Sequence, residues 1–355
     1  MNSASLVVAP QWIGDAVMAQ PLIEALARRG ERVTVAALPW IAPVCRAMPG
    51  VSEVVAWPFA HGKLDWAARR AAAAELRGRF DAAYVLPNSI KSALVPWLAR
   101  IPRRVGYVGE GRPLLLNRRL PNPPKTATHR MPMVAFYGAL AGEGAVPPDA
   151  RPRLAVDTTL RATTLARLGL SSQQYWVFAP GAEYGPAKRW PSAHYATLAR
   201  QLHAQHRLPV LLLGSAKEAD IADEIAALAP GACKALAGQT SLDEAIALIE
   251  QARGVASNDS GLMHVAAAFG VPQAAVFGST SPAHTPPLSP NARVLWLKDG
   301  SGGRTDLDCL PCFERECRFG HLRCLQDIAP ERVARALEEA VVGAEALNGP
   351  ATQRP

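Results

Sequence analysis

Short apolar runs alternate along this chain with longer segments whose apolar positions recur every three or four residues. Leu6-Val7-Val8-Ala9 reads as a buried strand. Asp15 opens a helix to about Arg29, with Val17, Ile23, Leu26 and Ala27 on its buried face. Residues 32–38 then read as a strand, 40–48 as a short helix, 53–56 as a strand, 65–77 as an alanine-rich helix and 81–86 as a strand; a helix follows that ends near Ala99. Residues 109–128, rich in Pro, Gly and Arg and without a period, read as a long surface loop. Residues 142–158, with Pro147, Pro148 and Pro152, read as a linker. The alternation then restarts. Strands are expected at 175–179, 209–213, 234–237, 254–256, 273–277 and 294–297. Helices are expected from Pro191 at the first helical position to about His203, from the turn at 214–218 to Leu228, from the capping box Ser241-Leu242-Asp243-Glu244 to Arg253, after Gly261, and over 328–342. This β-α rhythm predicts parallel sheets with helices on both faces. The tail after Asn348 is expected to fray.

Composition narrows the class. A chain of 355 residues can bury two cores, and 49% hydrophobic with 19% charged residues fits a soluble globular enzyme. No apolar run approaches the roughly 20 residues of a membrane span. The N-terminus lacks the basic flank of a signal peptide, so a cytoplasmic location is expected. The net charge of +8 is uneven. Residues 1–165 carry 21 Lys and Arg against 11 Asp and Glu, a net +10, and the remainder 17 against 19, a net −2. Between Arg103 and Arg130 lie Arg104, Arg112, Arg118, Arg119 and Lys125 with one acid, Glu110. This is either a solvated basic face or a surface for an anionic partner. With 6% aromatics and no recognised motif, nucleic acid is not the expected partner; a phosphorylated lipid at a membrane face fits.

Five stretches could carry chemistry. Gly254-Val255-Ala256 leads through Ser257-Asn258-Asp259-Ser260-Gly261-Leu262-Met263-His264 into an apolar helix. Asp259 or Ser260 would cap that helix, and Gly261 lets a ligand approach the backbone. The unpaired first amides and the helix dipole suit a diphosphate, to which His264, one turn in, could add a donor. An ordinary capped helix with a buried histidine is the competing explanation. Asp15 lies past the first strand at a helix N-terminus, where open α/β sheets place ligands; it is either a cap or an ionised proton acceptor. Pro87-Asn88-Ser89-Ile90-Lys91 turns into a helix capped by Asn88 or Ser89, and Lys91 in its first turn opposes the dipole, which hints at a bound anion. The loop of residues 180–191 between strand and helix contains Lys188, a common way to meet phosphate, although P-loop spacing is absent. Cys309, Cys312, Cys317 and Cys324, with His321 among them, leave structural zinc and free thiols both open.

These stretches carry a resemblance. Asp259-Ser260-Gly261 with His264, then Gly270-Val271-Pro272, a strand and the loop Gly278-Ser279-Thr280-Ser281-Pro282, resembles the ADP-heptose:lipopolysaccharide heptosyltransferases, glycosyltransferase family 9. Trp12-Ile13-Gly14-Asp15 resembles the family's Gly-Asp loop, and Lys188-Arg189-Trp190-Pro191 its donor-side signature. Residues 87–107 and the cysteine cluster are similar to segments of the members that add the second heptose. The resemblance spans about residues 5–345. It implies an α/β GT-B fold of two Rossmann-like doubly wound domains facing an interdomain cleft. An acceptor domain would cover residues 1–160 and an ADP-heptose domain 161–327, with 328–347 a helix crossing back to the first. It implies Asp15 as general base and Lys188 at the diphosphate. Glu183, Glu218 (at the ribose), Asp259, Ser260, Gly261, Leu262 and His264 would complete the donor site. Asn88, Ser89, Lys91 and Arg104 would contact the acceptor. The implied reaction is metal-independent and inverting, without a cofactor. The heptose would pass from ADP-L-glycero-D-manno-heptose to the heptosylated, phosphorylated inner core of lipid A, with peripheral contact to the inner membrane. Rival readings are a first-heptose transferase acting on Kdo2-lipid A, a sugar-nucleotide epimerase of the same fold, and a nucleotide-sugar-binding module without turnover.

Overall fold

A computed structural model of the chain describes residues 3–59, 64–126, 130–303 and 305–348; the tail after Asn348 lies outside the described residues. The chain divides into two compact units, with the break between Ala155 and Val156. That is inside the linker expected at 142–158 and ahead of a boundary at 160.

The first unit holds one parallel sheet. Its strands are β1 (Ala4–Val8), β2 (Arg32–Ala37), β3 (Val51–Ala56), β4 (Ala82–Val85), β5 (Arg103–Tyr107) and β6 (Arg118–Leu120), in the order β3-β2-β1-β4-β5-β6. The chain grows outward from β1 to β3, then returns to place β4 on the other side of β1, with Val8 registered on Val85. The topological switch point therefore lies outside the carboxyl ends of β1 and β4, where ligands of open sheets bind. The helices are α1 (Ile13–Met18), α2 (Gln20–Arg28), α3 (Ala42–Arg46), α4 (Trp66–Leu76), α5 (Ile90–Leu98) and α6 (Met133–Gly138). Leu6, Val8, Val85, Val95, Ile101, Phe80 and Trp57 join in one core.

Two expectations change here. The helix foreseen over 15–29 is two helices that meet at Ala19, because Pro21 has no N–H for the carbonyl of Val17. β6 lies in the segment 109–128 read as loop, and β5 in a segment where no strand was expected; their Arg-Arg starts hide the apolar signal. β6 is a short edge strand whose Arg118 and Arg119 are exposed, a charge pattern that discourages pairing with a further strand.

The second unit repeats the topology. β7 (Trp176–Ala179), β8 (Val210–Leu212), β9 (Cys233–Ala235), β10 (Gly254–Asn258), β11 (Gln273–Phe277) and β12 (Ala292–Trp296) form a parallel sheet in the order β12-β11-β10-β7-β8-β9. The switch point is between β7 and β10, with Ser257 registered on Ala179. The helices are α7 (Thr158–Leu168), α8 (Ser192–His206), α9 (Ala219–Leu228), α10 (Leu242–Glu250), α11 (Gly261–Phe269), α12 (Arg323–Gln326) and α13 (Pro330–Asn348). α7 packs on α10, so it belongs wholly to this unit. The Ser241–Glu244 capping box forms as expected: Ser241 N donates to Glu244 Oε2 at 2.8 Å, and Glu244 N donates to Ser241 Oγ at 3.2 Å. The core includes Trp176, Phe178, Trp190, Tyr195, Leu212, Val276 and Leu337. Leu337 lies on α13, which packs on α8, β10, β11 and β12 of this same unit. No described helix is long and apolar enough to cross a membrane.

Candidate functional site

In the second unit the loops after β7 and β10 meet at the switch point. The β10 strand buries both Ser257 and Asn258, polar residues at the end of an apolar run. Asn258 ties the neighbourhood together. Its Oδ1 accepts from Trp190 N at 3.0 Å and from the Tyr195 hydroxyl at 3.1 Å, and its Nδ2 donates to Pro180 O at 2.6 Å. The loop of residues 180–190 is thereby fastened beside residue 259. Gly185 is required within it: a Cβ there would lie 2.4 Å from the carbonyl oxygen of Arg315, which accepts from Ala187 N at 3.0 Å.

The result is a buried polar group around Asp259. Lys188 Nζ lies 2.6 Å from Asp259 Oδ2, with the two side chains 13% and 4% exposed. The Thr280 hydroxyl donates to the same oxygen at 2.6 Å, and the Thr285 hydroxyl to Oδ1 at 3.4 Å. The Lys188 ammonium also stands 4.9 Å from the centre of the Tyr184 ring. Asp259 is thus the counter-ion of Lys188, not the cap of α11. Ser260 takes the N-cap position but makes no side-chain cap bond, and its buried Oγ has no partner. The first amides of α11 are therefore left uncapped by side chains, next to a buried ammonium. His264 is 5% exposed, and its pKa is pushed down to about 4 by burial. The Asp259 carboxylate opposes that shift and the Lys188 ammonium adds to it. The imidazole is accordingly neutral at pH 7 and brings no cationic donor to this turn.

Glu218 reaches the same edge of the sheet. Its Oε2 accepts from Ser215 N at 2.8 Å and from Ser215 Oγ at 2.9 Å, closing a capping box. Its other oxygen overlies Gly181, where a Cβ would lie only 1.7 Å from it. Glu183, by contrast, is exposed and pairs with exposed Lys217 at 3.3 Å. Gly261 and Leu262 are the first two residues of α11.

In the first unit Asp15 is the third residue of α1, half-buried; Trp12 takes the N-cap position and its side chain makes no cap bond. The hydroxyl of buried Tyr137 lies in its field: burial first, then the Asp15 charge, raises that phenol's pKa well above its usual value. The loop after β4 leaves the sheet beside the loop after β1, with Leu86 N donating to Val8 O at 3.2 Å. Neither Asn88 nor Ser89 caps α5 as expected. The Ile90 amide is taken by Glu110 Oε2 at 3.1 Å, and Asn88 Oδ1 accepts from Arg112 at 2.9 Å. Lys91 stands in the first turn, and its carbonyl accepts from Arg69 at 2.8 Å. Arg104 is on β5; its Nε donates to Leu115 O at 2.7 Å and its Nη1 to Ile101 O, so much of its donor capacity is spent inside the fold. The basic stretch is thus partly internal, with Arg112 fully buried. None of the six cysteines is joined in a disulfide. Among the described residues no group of three or more His, Cys, Asp or Glu side chains is placed to hold a metal ion.

The model of glycosyltransferase family 9 (heptosyltransferase) matches residues 69–323. The chain belongs to glycosyltransferase family 9. Lipopolysaccharide heptosyltransferase 2 of Escherichia coli (strain K12) is 41% identical over 359 residues, covering 96% of this chain and 99% of that protein. Lipooligosaccharide heptosyltransferase 2 of Haemophilus influenzae is 38% identical, over 94% of this chain and 98% of its own. The solved structure of the E. coli ADP-heptose LPS heptosyltransferase II matches at a TM-score of 0.80 and 39% identity, over 96% of this chain and 99% of that one. The two parallel six-stranded sheets are thus the GT-B architecture of a family 9 glycosyltransferase.

Sequence reasoning about this family 9 enzyme passed over Asn258, Thr280, Tyr184 and Arg112 as site-building residues. For Asn258 a signal existed: a polar residue closing an apolar strand. For Arg112 there was none, since one arginine among several in a loop looks like a surface charge.

Proposed function

We propose that this enzyme transfers L-glycero-D-manno-heptose from ADP-heptose to the heptosylated inner core of lipopolysaccharide, adding the second heptose. The observation that carries the reading is the buried Lys188–Asp259–Thr280 group set beside the uncapped N-terminus of α11. An ammonium, free amides and hydroxyls converging there suit a diphosphate leaving group. The relatives named for this activity, similar along almost the whole chain, support the same reading.

In this proposal the second unit holds the donor. Lys188 turns from Asp259 toward the diphosphate, Ser260, Gly261 and Leu262 present their amides, and Asp259 and His264 shape the turn. Glu218, at the Gly181 edge, faces the nucleoside. Glu183 serves the donor only if it leaves Lys217. The first unit, with its excess of basic residues, receives the phosphorylated acceptor through Asn88, Ser89 and Lys91, and Arg104 helps to build that face. The acceptor hydroxyl oxygen forms the new bond to the anomeric carbon. The bond from that carbon to the β-phosphate oxygen breaks, and ADP departs with its electrons. Asp15 takes the hydroxyl proton. A single displacement inverts the anomeric centre and needs no metal ion. The enzyme works on the cytoplasmic side, at the face of the inner membrane where its lipid acceptor resides.

The test is incubation of purified protein with ADP-heptose and a series of truncated lipopolysaccharides, with ADP release and product mass as readouts. Transfer to the singly heptosylated core is expected. Transfer only to the heptose-free core would make this a first-heptose enzyme. Altered sugar nucleotide without acceptor would make it an epimerase, and donor binding without turnover a binding module.

A further inference from the structure

Residues 109–112 grip the loop that follows β4, and the transfer chemistry above makes no use of them. Arg112 is completely buried. Its Nη1 donates to Pro87 O at 2.6 Å, and its Nη2 donates to Asn88 Oδ1 at 2.9 Å and to the carbonyl of Tyr107. Two residues earlier, Glu110 Oε2 accepts from Ile90 N at 3.1 Å. Gly109 lies alongside, where a Cβ would stand in ordinary van der Waals contact with Asn88 O at 3.4 Å. Residues 87, 88 and 90 are therefore each held by this short segment. Burying a guanidinium is unfavourable unless its donors are used; here both amino nitrogens are used, by the loop itself and the end of β5, while the buried Nε has no partner.

The hydrogen-bond chemistry sets a direction. A guanidinium only donates, so it must meet the carboxamide oxygen of Asn88 and never its nitrogen. Asn88 is exposed. With Oδ1 held inward by Arg112, Nδ2 is the end left to face outward, at the switch point beside the loop that leads to Asp15. We propose that Arg112 is a positioning residue: it orients the Asn88 carboxamide so that Nδ2 donates a hydrogen bond to an oxygen of the acceptor, and Glu110 fixes the adjoining backbone. This rests on the acceptor-side reading of the first unit. The oxygen belongs to a sugar hydroxyl or to a phosphate of the core.

Asn88→Asp tests it. The aspartate keeps the contact with Arg112, and so the clasp, but it has no donor. Expected are unfolding no easier than in the wild type, an unchanged KM for ADP-heptose, and an acceptor KM raised about tenfold or more. A purely structural clasp would leave acceptor KM unmoved, and that result overturns the proposal. Arg112→Lys, which cannot reproduce the fork, should raise acceptor KM alone but add little in the Asn88→Asp background; additive effects also overturn it. Dephosphorylated core tells the two oxygens apart: the Asn88→Asp defect disappears there if the partner is a phosphate and persists if it is a hydroxyl. If the wild type transfers heptose to no core acceptor, the functional reading has failed. The clasp is then judged by unfolding of Asn88→Ala, Arg112→Met and the double variant, and additivity there overturns it.

Discussion

Lys188→Ala should have two separable consequences. The variant leaves the Asp259 carboxylate, 4% exposed, facing the hydroxyls of Thr280 and Thr285 in place of an ammonium 2.6 Å away. Opposite unit charges about 3 Å apart attract by roughly 5 kcal/mol at an effective dielectric of about 20. Desolvation of the pair offsets part of that, and removing one partner of a buried pair typically costs about 3–5 kcal/mol. Two hydroxyls remain as donors, which places the expected loss near the lower end, about 3 kcal/mol. Hydrogen exchange resolved by peptide should show the loss as weakened protection of β7 and β10. Asp259→Asn in the same chain removes the orphaned charge and should recover most of that stability. It should not recover turnover, because the ammonium that stabilises the departing diphosphate is still missing; kcat should stay about a hundredfold or more below wild type in both variants. A stability change within about 0.5 kcal/mol, the size seen for an exposed lysine, would refute the buried pair. Recovery of turnover in the double variant would refute the leaving-group role.

Asp15→Asn should melt normally and still bind donor, since asparagine keeps the size of aspartate and serves a helix N-terminus about as well, while kcat falls by about 10²–10⁴-fold; turnover within a few-fold of wild type in a steady-state assay would remove Asp15 as the base. Gly181→Ala should displace the Glu218 carboxylate and its capping box, raising donor KM about tenfold with acceptor KM unchanged, as read by titrating each substrate in turn. His264, held neutral with its pKa at about 4, takes up a proton on unfolding at any pH between there and about 6.5, so stability falls as pH drops through that window. Roughly two and a half units at about 1.4 kcal/mol each amount to about 3.5 kcal/mol at most, and His264→Gln should flatten that part of the urea-midpoint profile; an identical slope in both proteins would contradict the buried neutral imidazole.

The sequence by itself determined most of the elements and the loops that matter. Buried parallel strands must be apolar on both faces, so β1, β7, β10 and β11 stand out as runs, and the residues at their carboxyl ends follow by position alone. The Ser241 capping box was legible because its chemistry is local, complete within four residues. Asp15, Lys188 and Asp259 were legible as ionisable residues just past such strands. What needed tertiary structure were the pairings between distant segments. Asp259 looked like a cap until the fold brought Lys188 to it from 71 residues away. Asn88 and Ser89 looked like caps until Glu110 arrived from the loop after β5 to take the Ile90 amide. β5 and β6 could not be read, because an Arg-Arg start is compatible with a strand only once neighbouring strands and loops supply partners for its polar groups. Arg112 carried no signal at all: its two amino nitrogens find acceptors on Pro87, Asn88 and Tyr107 only once the fold gathers those groups, and no local pattern of residues records that gathering.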